Sequence, residues 1–351
     1  LLVRAGYTGP VYMTEATADL VELSLKDAAR VALENQAQGG EAPLYTEDDV
    51  IRLLNLIKRV KYGVEVEIGQ LTVIFHDAGH ILGSASIEIS WQQSAGSSQQ
   101  KIIFSGDLGN SPQDLIMPTE TIKKADYVVM ESTYGNRLHT LENPTDIIGQ
   151  EINEIEKTGG TLLIPAFSLE RTQEILHRID HLKKSGKVKQ ETAIFLDSPL
   201  GITATEVFKK HTELYNAELS GHVKLDDPFD FPGLVVVEEG WQSKKIKDQD
   251  RAKVIIAGSG MMTGGRIMHH AIDFLPDPKT RVLIVGFMAE NTLGRKLVDG
   301  EKNVFIDNVR VKKVFLTHGE NEERQVVAEK IKEKLAFPEV YLPKLEEEVE
   351  L

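Results

Sequence analysis

The chain contains no cysteine. Disulfides and thiolate metal sites are therefore excluded, and any bound metal must take its ligands from histidine and carboxylate side chains. The absence suits a reducing compartment, and a cytoplasmic location is the expectation. No stretch approaches the run of about 18 apolar residues that a membrane helix needs, so no membrane partner is expected. Nothing at the start reads as a signal peptide, because Leu1, Leu2 and Val3 lead directly into Arg4 and Gly6. A basic excess is also lacking, since 54 acidic residues oppose 40 basic ones and leave a net charge of −14. That balance argues against broad, non-specific coating of nucleic acid. It leaves room for a small, locally positive cleft, to which metal ions would add charge.

What is present is ordinary globular material. The 351 residues are 41% hydrophobic and 27% charged, enough to bury a sizeable core in one large domain or two smaller ones. The acidic stretch Leu345 to Leu351 reads as a solvated tail. The opening stretch Leu1 to Tyr7 reads as the end of a helix, so the chain is expected to start inside a domain.

The hydrophobic pattern changes along the chain. Residues 10–13 predict a short strand, and Thr14 can cap a helix running to about Glu34. Thr46 and Asp49 form a capping-box pair ahead of a second helix, whose apolar face would run through Val50, Leu53, Leu54 and Ile57. Strands follow at 64–68, 71–75, 86–90 and 101–104, with a hairpin loop at 92–100 and a buried strand at Val128-Val129-Met130. From about residue 143 short apolar strands (161–164, 193–196, 234–237, 254–257, 282–285) alternate with helices such as 168–183 and 203–210. That alternation predicts a mainly parallel α/β unit. A strand at 314–316, a helix at about 321–335 and a strand near Val340 close the chain.

Three segments share one design, an apolar strand that ends in a metal-competent side chain next to glycine. They are Phe75-His76-Asp77-Ala78-Gly79-His80, Phe104-Ser105-Gly106-Asp107-Leu108-Gly109 and Phe315-Leu316-Thr317-His318-Gly319. A buried strand aims the residue at its end, and glycine lets the backbone turn and leaves space for an ion. Two imidazoles and a carboxylate from separate strands suit zinc.

Taken together, these segments resemble metallo-β-lactamase-fold hydrolases. The stretch Glu131-Ser132-Thr133-Tyr134-Gly135, the run Pro165 to Glu174 and the glycine-rich blocks 258–266 and 286–295 are similar to the motifs of the β-CASP RNA nucleases, in the same order. The resemblance implies an α/β architecture, a four-layer αββα metallo-β-lactamase fold with an inserted α/β β-CASP domain. It places the outer domain at 1–142 and 297–351 and the insertion at 143–296. It implies zinc, two ions in the complete family site, with His80, Asp107 and His318 as ligands and Asp107 bridging. A hydroxide held between the ions would attack a phosphodiester of single-stranded RNA, in endonuclease or 5′-exonuclease fashion. Glu131 would act beside the metals by orienting a proton donor. Arg171, Arg266 and Arg295 match phosphate through their guanidinium groups, and Ser259 and Gly260 would offer a small-residue loop to it. A homodimer is compatible with the resemblance.

The sequence departs from the family pattern twice. The His-x-His-x-Asp-His block expected ahead of Leu1 is absent, and the run Asn308 to Lys313 passes straight into Val314 where a Ser-x-His segment is expected. A chain of only these residues is therefore expected to bind zinc weakly and cleave negligibly. A noncatalytic RNA-binding scaffold is the alternative reading, and a small-substrate metallo-hydrolase a further one, against which the long insertion argues. His76 reads as structural, because strand geometry points it away from His80. His269 and His270 are adjacent on a helix, about 100° apart, and chelate poorly. His139 and His222 have no supporting context.

Overall fold

The central strands in the middle of the chain are buried at every position, whereas those before them alternate, and this difference separates two five-stranded sheets. The computed structural model describes residues 1–37, 39–92, 98–109, 115–133, 142–221, 227–301, 304, 314–315 and 340–341. The chain separates into two units, Leu1–Lys302 and Asn303–Leu351.

The first unit opens with β1 (Val11–Thr14), α1 (Glu15–Ala37), α2 (Glu47–Leu54) and β2 (Ile57–Val60). Thr14 caps α1, its Oγ1 accepting from the Thr17 N–H at 3.2 Å. The Thr46–Asp49 box is formed, with Asp49 Oδ2 accepting from the Thr46 N–H at 2.9 Å. The expected apolar face of α2 extends one residue set too far. Ile57 does not continue the helix but opens β2, where it pairs in parallel with Val11.

Next come β3 (Val66–Ile68), β4 (Leu71–Asp77), β5 (Ala85–Trp91), β6 (Gln100–Phe104) and β7 (Tyr127–Val129). They form one sheet in chain order, antiparallel until β7, which joins β6 in parallel. Val73 and Phe75 pair with Ile89 and Ile87, and pack with Val60 on the apolar face. Glu88 lies buried on the other face. Its charge stays paired, with Lys101 Nζ at 2.5 Å and His76 Nε2 at 3.0 Å, as an unpaired buried carboxylate would be costly. The strand expected to be buried at 128–130 is instead exposed, with Val128 at 63%. It is an edge strand whose single neighbour in the sheet is β6.

The rest of the unit alternates. It runs α3 (Pro144–Thr158), β8 (Thr161–Pro165), α4 (Arg171–Lys184), β9 (Ala193–Asp197), α5 (Pro199–Lys210), α6 (Ala217–Ser220), β10 (Leu234–Val236), α7 (Gly240–Lys245), β11 (Lys253–Ala257), α8 (Arg266–Phe274), β12 (Arg281–Val282) and α9 (Leu293–Val298). The strands form an all-parallel sheet in the order β10-β9-β11-β8-β12. Every residue of β8, β9 and β11 is buried, as expected of central strands covered by helices on both faces. The last strand is shorter than the apolar run 282–285 suggested, because only Arg281 and Val282 find ladder partners on β8. In the second unit β13 (Val314–Phe315) pairs in parallel with β14 (Val340–Tyr341). The helix expected at 321–335 lies outside the described residues. Among the described residues no helix is long and apolar enough to cross a membrane.

The core is continuous between the early elements and the parallel sheet, with Ala16 and Leu20 of α1 in the same cluster as Ala204 and Phe208 of α5. Asp19 ties the same two helices electrostatically. Its Oδ1 accepts from Arg59 at 2.6 Å, and its Oδ2 lies 2.5 Å from Lys210 Nζ and 2.8 Å from His211 Nε2. Burial raises this carboxyl's pKa, but the hydrogen bonds from Lys210, His211 and Arg59 outweigh it and hold the pKa at about 2. The folded pKa lies below the unfolded value, so the stability this group adds is present above pH 3.8 and lost as pH falls toward about 2. With allowance for solvent screening it is worth about 1–2 kcal/mol. Asp19→Asn should lower urea-unfolding stability by about that amount near neutral pH and flatten the acid loss below about pH 4. An unchanged acid limb in the variant would show that the Asp19 cluster does not hold α1 to α5.

Candidate active site

The loop between β4 and β5 carries His80, and most polar groups of its backbone are occupied. The Asp77 carboxylate accepts from the Gly79 N–H at 2.8 Å. Ser84 Oγ accepts from the N–H groups of His80 and Ile81 at 3.1 and 3.2 Å. The Ala78 carbonyl accepts from the Gly109 N–H and from Thr119 Oγ1, both at 2.9 Å. The Gly83 carbonyl accepts from Thr14 and Thr17 hydroxyls, each at 2.7 Å, and the Ser84 carbonyl accepts from Tyr62 at 2.7 Å. Two glycines make the turn. Gly79 and Gly83 sit at φ +60° and +85°, and a Cβ would stand 2.5 Å from the Thr119 nitrogen at the first and 2.6 Å from the Thr17 nitrogen at the second. Both positions therefore require glycine, for conformation and for space.

One bond to this loop comes from far away in the chain. The Leu82 N–H donates to Glu170 Oε2 at 2.9 Å, across 88 residues. Glu170 is buried and holds a left-handed φ of +63°, unusual for a residue with a Cβ. Burial, reinforced by Glu174 nearby, pushes its pKa up to about 8 against the pull of the Leu82 bond. Asp77 behaves similarly: burial pushes its carboxyl up to about 6, opposed by the Gly79 bond and helped by Glu120.

Asp107 follows β6 and faces His80, with 3.9 Å between His80 Nε2 and Asp107 Oδ2. Both side chains are open to solvent. Glu131 follows the neighbouring strand β7 and secures the Asp107 loop. Its carboxylate accepts from the Leu108 N–H at 2.7 Å, and its own N–H donates to Ser105 Oγ at 3.0 Å. Hydrogen bonds from Thr133 and Leu108, with the nearby His80, hold its pKa below the usual carboxylate range. Glu131 is thus an anion fixed beside the His80–Asp107 pair. His318 lies outside the described residues, and among the described residues no three histidines or carboxylates form a metal-binding group. His76 is engaged at both ring nitrogens, by Glu120 at 2.9 Å and Glu88 at 3.0 Å, in keeping with a structural role.

The arginines differ in how free they are. Arg266 turns inward: NH1 lies 2.5 Å from Asp197 Oδ1 and 2.9 Å from the Val237 carbonyl, and NH2 2.6 Å from the Glu238 carbonyl. His270 and Ser243 complete the coordination of the fully buried Asp197, at 2.6 and 2.5 Å. Arg295 pairs with Asp299 at 2.8 Å along α9. Arg171 is half exposed and pairs with Glu174 on the first turn of α4. Ser259 and Gly260 lie in the loop after β11, where Ser259 Oγ accepts from the Thr263 N–H at 2.9 Å.

Sequence reasoning passed over Glu170 and Asp197. Asp197 shared the strand-end signal of Asp107, as the last residue of an apolar strand before Ser198 and Pro199. Glu170 had no local signal, because its partner is 88 residues away.

Residues 172–297 match the family model of the Beta-Casp domain. The chain is 34% identical over 301 residues to Ribonuclease TTHA0252 of Thermus thermophilus, covering 85% of this chain and 65% of that protein. It is 30% identical over 307 residues to an RNase J-like protein of Methanocaldococcus jannaschii, covering 84% and 65%. It is 29% identical over 315 residues to Transcription termination factor FttA of Cenarchaeum symbiosum, covering 88% and 47%. The chain thus spans about half to two thirds of the length of these curated relatives.

Glu170 supplies a test of the loop anchor. Its folded pKa of about 8 exceeds the ordinary 4.5, so its contribution to stability is full below pH 4.5 and is lost as pH rises through about 8. Asp77 adds a loss of the same sign at lower pH. Glu170→Gln keeps an oxygen acceptor for Leu82 and removes the ionisation. The fall in urea midpoint between about pH 5 and about pH 8 should shrink in this variant. An equal fall in both proteins would place the Glu170 carboxyl in water.

Proposed function

Because the chain belongs to the β-CASP family of metallo-β-lactamase-fold proteins, we propose that it is the main part of a zinc-dependent ribonuclease acting on single-stranded RNA. The observation that carries this reading is the convergence of His80 and Asp107 at 3.9 Å, with anionic Glu131 fixing the Asp107 loop through Leu108. Relatives named as ribonuclease and RNase J-like protein support the substrate class.

An exposed imidazole facing an exposed carboxylate is a donor pair that suits zinc. His80 and Asp107 would contribute to holding the metal. Zinc, when bound, lowers the pKa of a water molecule and offsets charge that develops on a phosphoryl group. The chain's own residues supply the rest. The hydrogen bonds on the Ala78–Ser84 loop keep His80 from recoiling when it is drawn toward an ion. Glu131 performs the same task for Asp107. Its fixed negative charge also favours a protonated group next to the site, which suits the orientation of a proton donor. Arg171 and Arg295 are about equally exposed, each paired with one carboxylate of its own helix, and are the candidate arginines that could turn to an RNA phosphate. Arg266 is committed to Asp197, so its effect on RNA would pass through the shape of the Ser259–Gly260 loop.

The test uses a protein in which the His-x-His-x-Asp-His and Ser-x-His blocks accompany these residues. Elemental analysis should find about two zinc ions per chain, and a labelled single-stranded RNA should be cleaved. Asp107→Ala should reduce cleavage to background with an unchanged unfolding midpoint, since an exposed ligand is lost and no core packing. Stoichiometric zinc with intact RNA and a hydrolysed lactam or thioester would overturn the reading.

A further inference from the structure

The parallel sheet has a feature that the metal site does not use. Chain leaving β8 passes through α4 to β9, which lies beyond β11 in the sheet. Chain leaving β11 passes through α8 in the opposite direction to β12, beyond β8. The two strands are neighbours, with Ala257 opposite Pro165 at their carboxyl ends. Their connections part there, and such a point in a parallel sheet opens a crevice where ligands of α/β folds bind. From the β8 side it is walled by Phe167 and Ser168, and from the β11 side by Gly258, Ser259 and Gly260.

Phe167 breaks the burial pattern of its strand. Residues 161–166 are buried, yet Phe167 is 40% exposed. Its backbone is fixed, because its carbonyl accepts from the Thr172 N–H at 3.2 Å and from Thr172 Oγ1 at 2.8 Å. Its ring runs along two glycines. A Cβ at Gly260 would stand 2.7 Å from Cδ2, and one at Gly286 3.2 Å from Cε2. The ring is therefore seated against bare backbone, with no room for a side chain on that flank. Polar groups lie beside it along the chain: the Ser168 and Ser198 hydroxyls are 3.1 Å apart, and the Gly258 position faces both, while exposed Phe287 follows Gly286. These hydroxyls pair with each other, and Ser198 Oγ also accepts from the Gly201 N–H at 3.2 Å, so their remaining hydrogen-bonding capacity faces the crevice. A nucleotide presents a flat apolar base next to a hydrogen-bonding sugar and phosphate, and it matches both halves of the surface.

We propose that Phe167 is a stacking platform for one base of a single-stranded RNA, whose backbone crosses the crevice between β8 and β11. The assignment rests on the ribonuclease reading for its substrate class. A rigid, exposed aromatic ring stacks any base at small entropic cost, and such a contact is worth about 1–3 kcal/mol.

The test is binding of the 351-residue chain to a short single-stranded RNA carrying 2-aminopurine, followed by anisotropy and by fluorescence quenching. Phe167→Leu should weaken binding about tenfold and abolish the quenching. Phe167→Trp should retain both. The slope of log affinity against log salt should be equal in all three proteins, because no phosphate contact changes. Thermal melts monitored by circular dichroism should coincide, as the ring lies outside the core. If the unaltered chain binds and quenches but Phe167→Leu does so equally well, the stacking assignment is overturned and the RNA reading stands. An unaltered chain that binds no RNA overturns both. Self-association of the chain that Phe167→Leu removes, without RNA binding, would assign the ring to a second copy instead.

Discussion

The loop that carries His80 holds its shape through backbone hydrogen bonds supplied from elsewhere, the constraint that the proposed metal-ligand role would place on it. Between Ala78 and Ser84 the partners come from the β1–α1 junction, from the stretch after β2, from the loop after β6 and from the turn before α4. The bonds from Thr14 and to Glu170 satisfy buried peptide groups, each of which would otherwise cost about 1–3 kcal/mol. The loop is thereby the point at which separate parts of the first unit are joined. Glu170 is the most consequential partner, as its carboxyl is buried and its backbone is left-handed.

The same economy governs charge. In this acidic chain many of the buried or half-buried carboxylates are neutral or paired, as the proposed anionic substrate would require. Glu88 is paired with Lys101 and His76, Asp197 with Arg266 and His270, and Asp19 with Arg59, Lys210 and His211. Burial favours the protonated forms of Glu170 and Asp77. Asp107 is left open next to His80, where a cation would need it. The cost of this arrangement is that Arg266 serves the fold and is not available as a free phosphate ligand.

Much of the architecture was legible in the sequence. Strict alternation located β3, an apolar run located β4, and short apolar runs located β8, β9 and β11, because local burial alone decides those patterns. The errors have a common origin. Val128 was read as core from its apolar neighbours, but strand order put it at an edge. Ile57 matched a helical face, yet its backbone found a strand partner in Val11. In each case the deciding contact was distant in sequence.

Sequence by itself determined the chemistry on offer: two histidines and carboxylates placed at strand ends beside glycine, and no thiolate. It could do so because a strand's direction and a glycine's freedom are local properties. Only the tertiary structure decided which groups are free to act. The bonds from Leu82 to Glu170 and from Arg266 to Asp197 span 88 and 69 residues. Whether a guanidinium is spent, a carboxyl protonated or a phenylalanine ring exposed depends on what packs against it, and no periodicity in the chain encodes that.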